Sequence, residues 1–250
     1  MRYSACIELL FREDPIFADR IRAAKAAGLA AVEFWGWSGK DLFAVEVALA
    51  ATGLPLAGIL CEPIANITNP ATHDYFLAGV RASLAAAQQL GAPMLIAQAG
   101  NVIAGFTRAQ QHQAIVDVLG RAADVVAGSG VTIAVEPLND RVDHPGYFLT
   151  STTEGLDIVD AVGRPEIRLL YDIYHAATMG EGIELLDGRV DRVAHVHLAD
   201  TPGRHQPGTG KLDWQARLDW LTAHGYTGFV GLEYAPVGGT VESLGFRAPA

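Results

Sequence analysis

Four residues able to carry charge or ligate a metal, Glu136, Asp172, His197 and Glu233, stand at or near the ends of short apolar runs in this 250-residue chain. Glu136 follows residues 131–135, Asp172 follows 167–171, His197 lies among Val196, Leu198 and Ala199, and Glu233 follows 228–232. Such runs bounded by turn-forming residues read as buried strands. The four are spaced 36, 25 and 36 residues apart, each close to one strand-helix unit, so they are expected to meet at the C-terminal mouth of a barrel. One acidic residue at a strand end is usually a cap or a surface charge. Three carboxylates crowded with one imidazole are different: like charges repel and raise one another's pKa, and a divalent cation relieves that while supplying a Lewis acid. The oxygen-rich set suits magnesium or manganese, and the imidazole also admits cobalt or zinc.

The third of these positions lies in the stretch HVHLADTPGRHQPGTGKLD, residues 195–213, where an apolar run gives way to Gly- and Pro-rich chain. His195 and His197 alternate with apolar neighbours and so point to one side of the strand, His195 as a candidate orienter behind His197. Pro202, Gly203, Pro207, Gly208 and Gly210 cannot continue that strand, and Asp200, Arg204 and His205 lie on the loop they form.

These side chains need a scaffold, and the chain alternates strand-like and helix-like segments throughout. Strands are expected at 3–10, ending near Glu8, and at 30–35, 55–60, 94–97, 131–135, 167–171, around 196–199, and 228–232. Helices are expected at 15–27 after a cap at Asp14, and at 40–52, 70–90, 108–128, 152–162, 181–188 and 213–224, with a short one in the tail from Val237. Eight such units without a linker or a composition shift predict an α/β fold, a (β/α)8 TIM barrel, as one domain over residues 1–250. A doubly wound sheet would want a phosphate-binding glycine fingerprint after the first strand, and CIELLFRED is not one.

Composition excludes several function classes. Half the residues are hydrophobic, 18% are charged and the net charge is −10, which leaves no electrostatic footprint for nucleic acid or an anionic membrane. No apolar run reaches the roughly 18 residues of a membrane span. The two cysteines, Cys6 and Cys61, read as small buried residues rather than a disulfide framework. MRYSACIELL becomes charged too soon for a signal peptide, so a cytoplasmic protein with a small-molecule partner is expected, with a homo-oligomer left open.

The runs VEPLNDRVDHPGYFL, LLYDIYH, HVHLADTPGRHQPGTGKLDW and GLEYAP resemble those of the hydroxypyruvate isomerases, within the xylose-isomerase-like sugar isomerase and epimerase barrels, and the resemblance covers nearly the whole chain. It implies a metal-assisted aldose–ketose isomerase acting on hydroxypyruvate or a related small sugar acid such as a 2-oxo-tetronate. By the same resemblance Glu136 and Glu233 are the paired acid and base, Glu136, Asp172, His197 and Glu233 hold the metal, and His175 and Arg204 contact substrate. At His197 hydroxypyruvate isomerases often carry Gln, whereas related ketose epimerases carry His, so a ketose 3-epimerase on a free sugar is the alternative. VEFWGW, with Trp35 and Trp37, also departs from the family's pattern and is able to reshape the pocket. A nuclease of the endonuclease IV type on the same barrel would want more metal ligands and a basic face.

The chemistry itself is definite. Isomerising an α-hydroxy carbonyl compound removes a weakly acidic C–H proton and returns it to the neighbouring carbon, and the barrier is the cost of the enediolate. Arg204 would hold a substrate carboxylate through its two-pronged guanidinium. Among the other polar residues at strand ends, Gln98 is a candidate substrate contact, and Glu62 and Asn101 are candidate pocket lining. His144 and Tyr147 are placed to close over substrate. Trp35 and Trp37 are a wall or packing, and His73, His112 and His224 are expected at the surface.

Overall fold

Eight short strands alternate with helices: β1 (Arg2–Cys6), α1 (Phe17–Ala26), β2 (Ala31–Phe34), α2 (Leu42–Thr52), β3 (Leu56–Leu60), α3 (His73–Leu90), β4 (Met94–Gln98) and α4 (Arg108–Val126). The second half continues with β5 (Thr132–Glu136), α5 (Thr152–Val162), β6 (Ile167–Asp172), α6 (Ile173–Met179), β7 (Val193–Leu198), α7 (Trp214–Ala223), β8 (Phe229–Leu232) and α8 (Thr240–Ser243). In the computed structural model, which describes residues 1–247, the strands pair in parallel and in sequence order, and β8 closes back onto β1. This is the expected (β/α)8 barrel.

Local chemistry sets the element ends. Asp41 accepts from the Ala44 N–H at 3.0 Å to start α2, and Gly53 ends it in the left-handed conformation at φ 65°. Thr107 and Gln110 form a reciprocal capping box on α4. Most boundaries shift by one to three residues from expectation, and three departures have a clear local cause. β1 stops at Cys6, because residues 7–10 turn away through bonds back to the Cys6 carbonyl. α1 begins at Phe17 without a side-chain cap, so Asp14 does not cap it. Residues 183–186 form only a short 3-10 turn, and the helix of that unit is α6, which follows β6 with no intervening loop. Asp172 makes this abrupt start workable by accepting the His175 N–H at 2.9 Å as the N-cap.

Strand periodicity divides the buried side chains in two. One set, including Ile59, Leu95, Val135, Leu169 and Tyr171, packs outward with the helices. The alternate set from β3 to β6 faces the lumen as a small apolar cluster of Leu60, Met94, Ile96, Ala134 and Leu170. Gly58 leaves room for Met94, whose terminal methyl would lie 2.6 Å from a Cβ built there. On β7, β8, β1 and β2 the lumen positions are instead His195, His197, Gly231, Ser4 and Glu33, and the four charged or imidazole-bearing or hydroxyl side chains among them are buried. Register aligns the functional strand ends: Gln98 lies opposite Glu136, Asp172 opposite His197, and His197 opposite Gly231. Among the described residues no helix is long and apolar enough to cross a membrane.

Candidate active site

At the C-terminal mouth the barrel brings together Glu136, Asp172, His197 and Glu233, each at most 5% exposed, with one ligand atom apiece lying within 4.8 Å of the others. The His197 ring presents its Nδ1 edge to all three carboxylates, at 3.3 Å from Glu233, 3.4 Å from Glu136 and 3.8 Å from Asp172. Neither that nitrogen nor Glu136 Oε1 has a hydrogen-bond partner, although both are buried. Buried polar atoms are normally satisfied, so these two unpaired atoms, set among ligand atoms that converge from four strand ends, fit a cation between them.

Electrostatics agree with that fit. Burial pushes Glu136 up to about 7, with His197 opposing it less strongly. At Glu233 burial pushes the same way but is outweighed by the charges of His197 and Arg204, which hold this carboxylate well below the usual range. His197 is held well above an ordinary imidazole by Glu233 and Glu33, although burial works against it. The cluster favours positive charge at its centre.

Glu233 is tied on both oxygens. Trp35 Nε1 donates to Oε1 at 2.7 Å and Arg204 donates to Oε2 at 2.6 Å. Arg204 reaches this position from a backbone at φ 55°, unusual for a residue with a side chain. Two backbone bonds fix it: its N–H donates to the Asp200 carbonyl at 3.1 Å and its carbonyl accepts from Ala235 at 3.0 Å. Its guanidinium lies 5.2 Å from the Tyr174 ring centre, and its buried Nε has no partner.

His175 shows a defined tautomer. Its Nδ1 receives the Asn139 backbone N–H at 3.0 Å and the Asn139 side-chain amide at 2.7 Å, so Nδ1 carries no proton. The proton sits on Nε2, which is buried without a partner. Burial, and then Arg204, pull His175 below the ordinary imidazole value against the opposing charge of Asp172, so it offers a neutral N–H. Asn139 in turn donates to Asp143 at 2.6 Å, and Tyr174 donates to the same Asp143 oxygen at 2.8 Å.

A cavity of about 190 Å³ is lined by Glu136, Glu233 and His197 together with Trp35, Ile64, Gln98, His144, His175 and Arg204. A larger hollow of about 490 Å³ opens at the opposite end of the barrel. Its guanidiniums are already engaged, Arg2 with the Thr227 carbonyl and Arg168 with those of Asp191, Arg192 and Val193, whereas the smaller cavity holds the unpaired ligand atoms and is the candidate site.

Other expected residues fall elsewhere. Glu62 does not line the cavity; its carboxylate accepts the Trp37 and Ser38 N–H groups and braces the tryptophan loop. Asn101 borders a neighbouring hollow and bridges to Tyr147. Tyr147 is buried beneath Glu136, its hydroxyl accepting from Ala99 N–H at 2.6 Å and donating to the Glu136 carbonyl at 3.2 Å. Asp200 organises the loop that carries Arg204, accepting from the Thr201, Gly208 and Leu212 N–H groups. His73 is not at the surface: it is 6% exposed, with Nε2 3.1 Å from the Ile67 carbonyl.

Trp35, expected as a wall or packing, does line the cavity and also bonds Glu233 directly, a role its sequence context did not suggest. Glu33, which sits beneath His197 in the lumen, escaped sequence reasoning. The available signal was period two: Glu33 on β2 and Trp35, the residue after that strand, are two apart, as His195 and His197 are on β7.

Residues 21–249 match the family described as the xylose isomerase-like TIM barrel. The hydroxypyruvate isomerase of Escherichia coli is 30% identical, over 100% of this chain and 99% of its own. The 2-oxo-tetronate isomerase of Cupriavidus necator is also 30% identical, over 99% of this chain and 98% of its own. A crystal structure described as an AP endonuclease, family 2, from Brucella melitensis superposes with a TM-score of 0.92 at 30% identity, covering 99% of this chain and 98% of that one. The chain belongs to the xylose isomerase-like TIM barrels, in their hydroxypyruvate isomerase branch, and is by that membership an isomerase.

Proposed function

We propose that the chain interconverts the two hydroxy-carbonyl isomers of a small sugar acid, the ketose and aldose forms hydroxypyruvate and tartronate semialdehyde or the 2-oxo and 3-oxo forms of a tetronate, by proton transfer between carbons. The observation that carries this reading is the meeting, in one small cavity, of two glutamates from β5 and β8 with the unpaired Nε of Arg204. Arg204 then binds the carboxylate that distinguishes a sugar acid from a free sugar. One glutamate of the pair removes the proton from the hydroxyl-bearing carbon, a proton is returned to the neighbouring, former carbonyl carbon, and the hydroxyl proton is transferred to the former carbonyl oxygen, so the two isomers interconvert with no net gain or loss of protons. The Nε2–H of His175 donates to the substrate oxygen that gains charge in between. Glu136, Asp172, His197 and Glu233 would hold a divalent ion, magnesium or manganese by their oxygen-rich donor set, which when bound supplies a Lewis acid for the substrate's oxygens. Gln98, opposite Glu136 in register, adds a polar contact on the cavity wall.

A nucleic-acid substrate is disfavoured by the net charge of −10, despite the endonuclease name of the superposed structure. The test is a panel of hydroxypyruvate, 2-oxo-tetronates and free ketoses, run with chelator and with metal added back. Turnover of an acid, lost to chelator and restored by metal, is the expected result. Turnover of free ketoses alone would replace this reading with a 3-epimerase. Run in heavy water, the product should carry deuterium at the newly protonated carbon, and full retention of the migrating hydrogen would indicate a hydride shift instead.

A further inference from the structure

Below the metal-ligand cluster the barrel buries a carboxylate that the reaction above does not use. Glu33 lies on β2 at 2% exposure. One oxygen, Oε2, accepts the Ser4 hydroxyl from β1 at 2.7 Å and faces His195 Nε2 from β7 at 2.8 Å. The other, Oε1, lies 2.8 Å from His197 Nε2, a charge contact that is not aligned as a hydrogen bond and leaves neither atom any other partner. Between β7 and β1 the barrel keeps this path open with a glycine: a Cβ on Gly231 would lie 2.4 Å from Glu33 Oε1 and 2.7 Å from His197 Cδ2. Four neighbouring strands thus cooperate to bring one carboxylate to the rear edge of His197, while its front edge, Nδ1, faces Glu136, Asp172 and Glu233.

An imidazole can ligate a metal only through a nitrogen that has lost its proton, and the other nitrogen's partner decides which one that is. A carboxylate at Nε2 favours the proton there and leaves Nδ1 free. We propose that Glu33, held by Ser4 and His195, is the positioning residue that fixes the Nε2–H tautomer and ring orientation of His197, so that Nδ1 is presented to a cation. This rests on the metal-dependent reading of the mouth. It gives the HVH pattern of β7 a division of labour: His197 ligates, and His195 holds the group that orients it.

The experiment compares manganese affinity, by calorimetric titration, of the wild type and Glu33→Gln, which keeps the size of the side chain and removes its charge. One ion per wild-type chain is expected, with binding about ten- to a hundredfold weaker in the variant. Activity of the variant should recover as manganese is raised, and KM measured at saturating manganese should stay near the wild-type value. Ser4→Ala, which removes one support of Glu33, should weaken manganese binding by a smaller factor. Nitrogen-15 spectra of histidine-labelled, zinc-loaded wild type need no variant to fold, and should show His197 protonated at Nε2. Unchanged manganese affinity in Glu33→Gln, or a His197 proton on Nδ1, overturns the proposal while leaving the metal site standing. Two ions per wild-type chain would make Glu33 and His195 ligands themselves and overturn it also. Wild type that binds no manganese removes the metal reading first, and the positioning role with it.

Discussion

The lumen of this barrel has two unlike halves. From β3 to β6 it is filled by Leu60, Met94, Ile96, Ala134 and Leu170, with no polar atom to satisfy. From β7 through β8 and β1 to β2 it holds His195, His197, Ser4 and Glu33 around the space left by Gly231. Both halves are equally buried, so burial alone does not distinguish them. The apolar half stabilises by dispersion and the hydrophobic effect. The polar half bears a desolvation cost that well-packed apolar residues of similar volume would avoid, often becoming more stable by about 1–4 kcal/mol in such replacements. A charged cluster in that position is explained by what it supports at the mouth above it. Glu136 and Asp172 stand over the apolar half and take their support from strand ends and helix caps, whereas Glu233 stands over the polar half and His197 is its uppermost member.

The largest effect should come from the mouth. Glu136→Gln and Glu233→Gln should each lower turnover by about 10²–10⁴-fold, the range of a lost acid or base. Because both are proposed ligands, metal content must be measured beside activity. The structure makes the two unequal: Glu233→Gln also disturbs the bonds from Trp35 and Arg204, whereas Glu136 Oε1 has no partner to lose. Glu233→Gln should therefore also raise KM for an acidic substrate. If Glu136→Gln retains wild-type kcat with full metal content, the two-glutamate reading fails.

Arg204→Lys should raise KM for a sugar acid about tenfold and lower kcat less, because a lysine keeps the charge but loses the two-pronged donor. Its strained backbone tests the same residue independently of charge: Arg204→Gly should relieve the positive φ locally and still lose substrate affinity. An unchanged KM in both variants would show that the buried Nε serves the loop and not the substrate.

His197→Gln should keep one metal site with altered affinity. A glutamine amide has an oxygen to turn toward Glu136, Asp172 and Glu233 and an NH2 group to donate to Glu33, so it can serve both edges that the imidazole serves. His197→Leu removes both functions and should bind no metal. A His197→Gln variant equally devoid of metal would show that the polar half demands an imidazole.

How much of this was legible in the sequence follows the same division. The strand ends at Glu136, Asp172 and Glu233 were readable because each closes an apolar run, and their spacing implied one shared mouth. Glu33 was not, since within VEFWGW it reads as an ordinary polar residue on a strand, and its partners come from β1 and β7. Closure of β8 onto β1 makes these strands neighbours, and no local pattern encodes that pairing. The start of α6 escaped because a seven-residue helix is too short to display a period, and its cap, Asp172, already read as a strand end. His73 was misplaced because the first turn of a helix is usually exposed. Here the loop before it folds back so that the Ile67 carbonyl meets the ring.

The smallest effect is also the sharpest control on the comparison. Met94→Leu changes shape in the apolar half at nearly constant volume, and Glu33→Gln changes charge in the polar half at nearly constant size. By packing alone, Met94→Leu should cost less than about 1.5 kcal/mol of stability, because volume-conserving swaps are well tolerated. The contact that matters is the Met94 terminal methyl over Gly58, which a shorter, branched side chain fills differently. Met94 lines the hollow at the opposite end of the barrel and not the cavity at the mouth, so manganese affinity, kcat and KM should all stay within about twofold of wild type, with only the urea midpoint moving. If Met94→Leu weakened manganese binding as much as Glu33→Gln does, the lumen would be acting as one packed body. The contrast between its halves would then describe composition and not function.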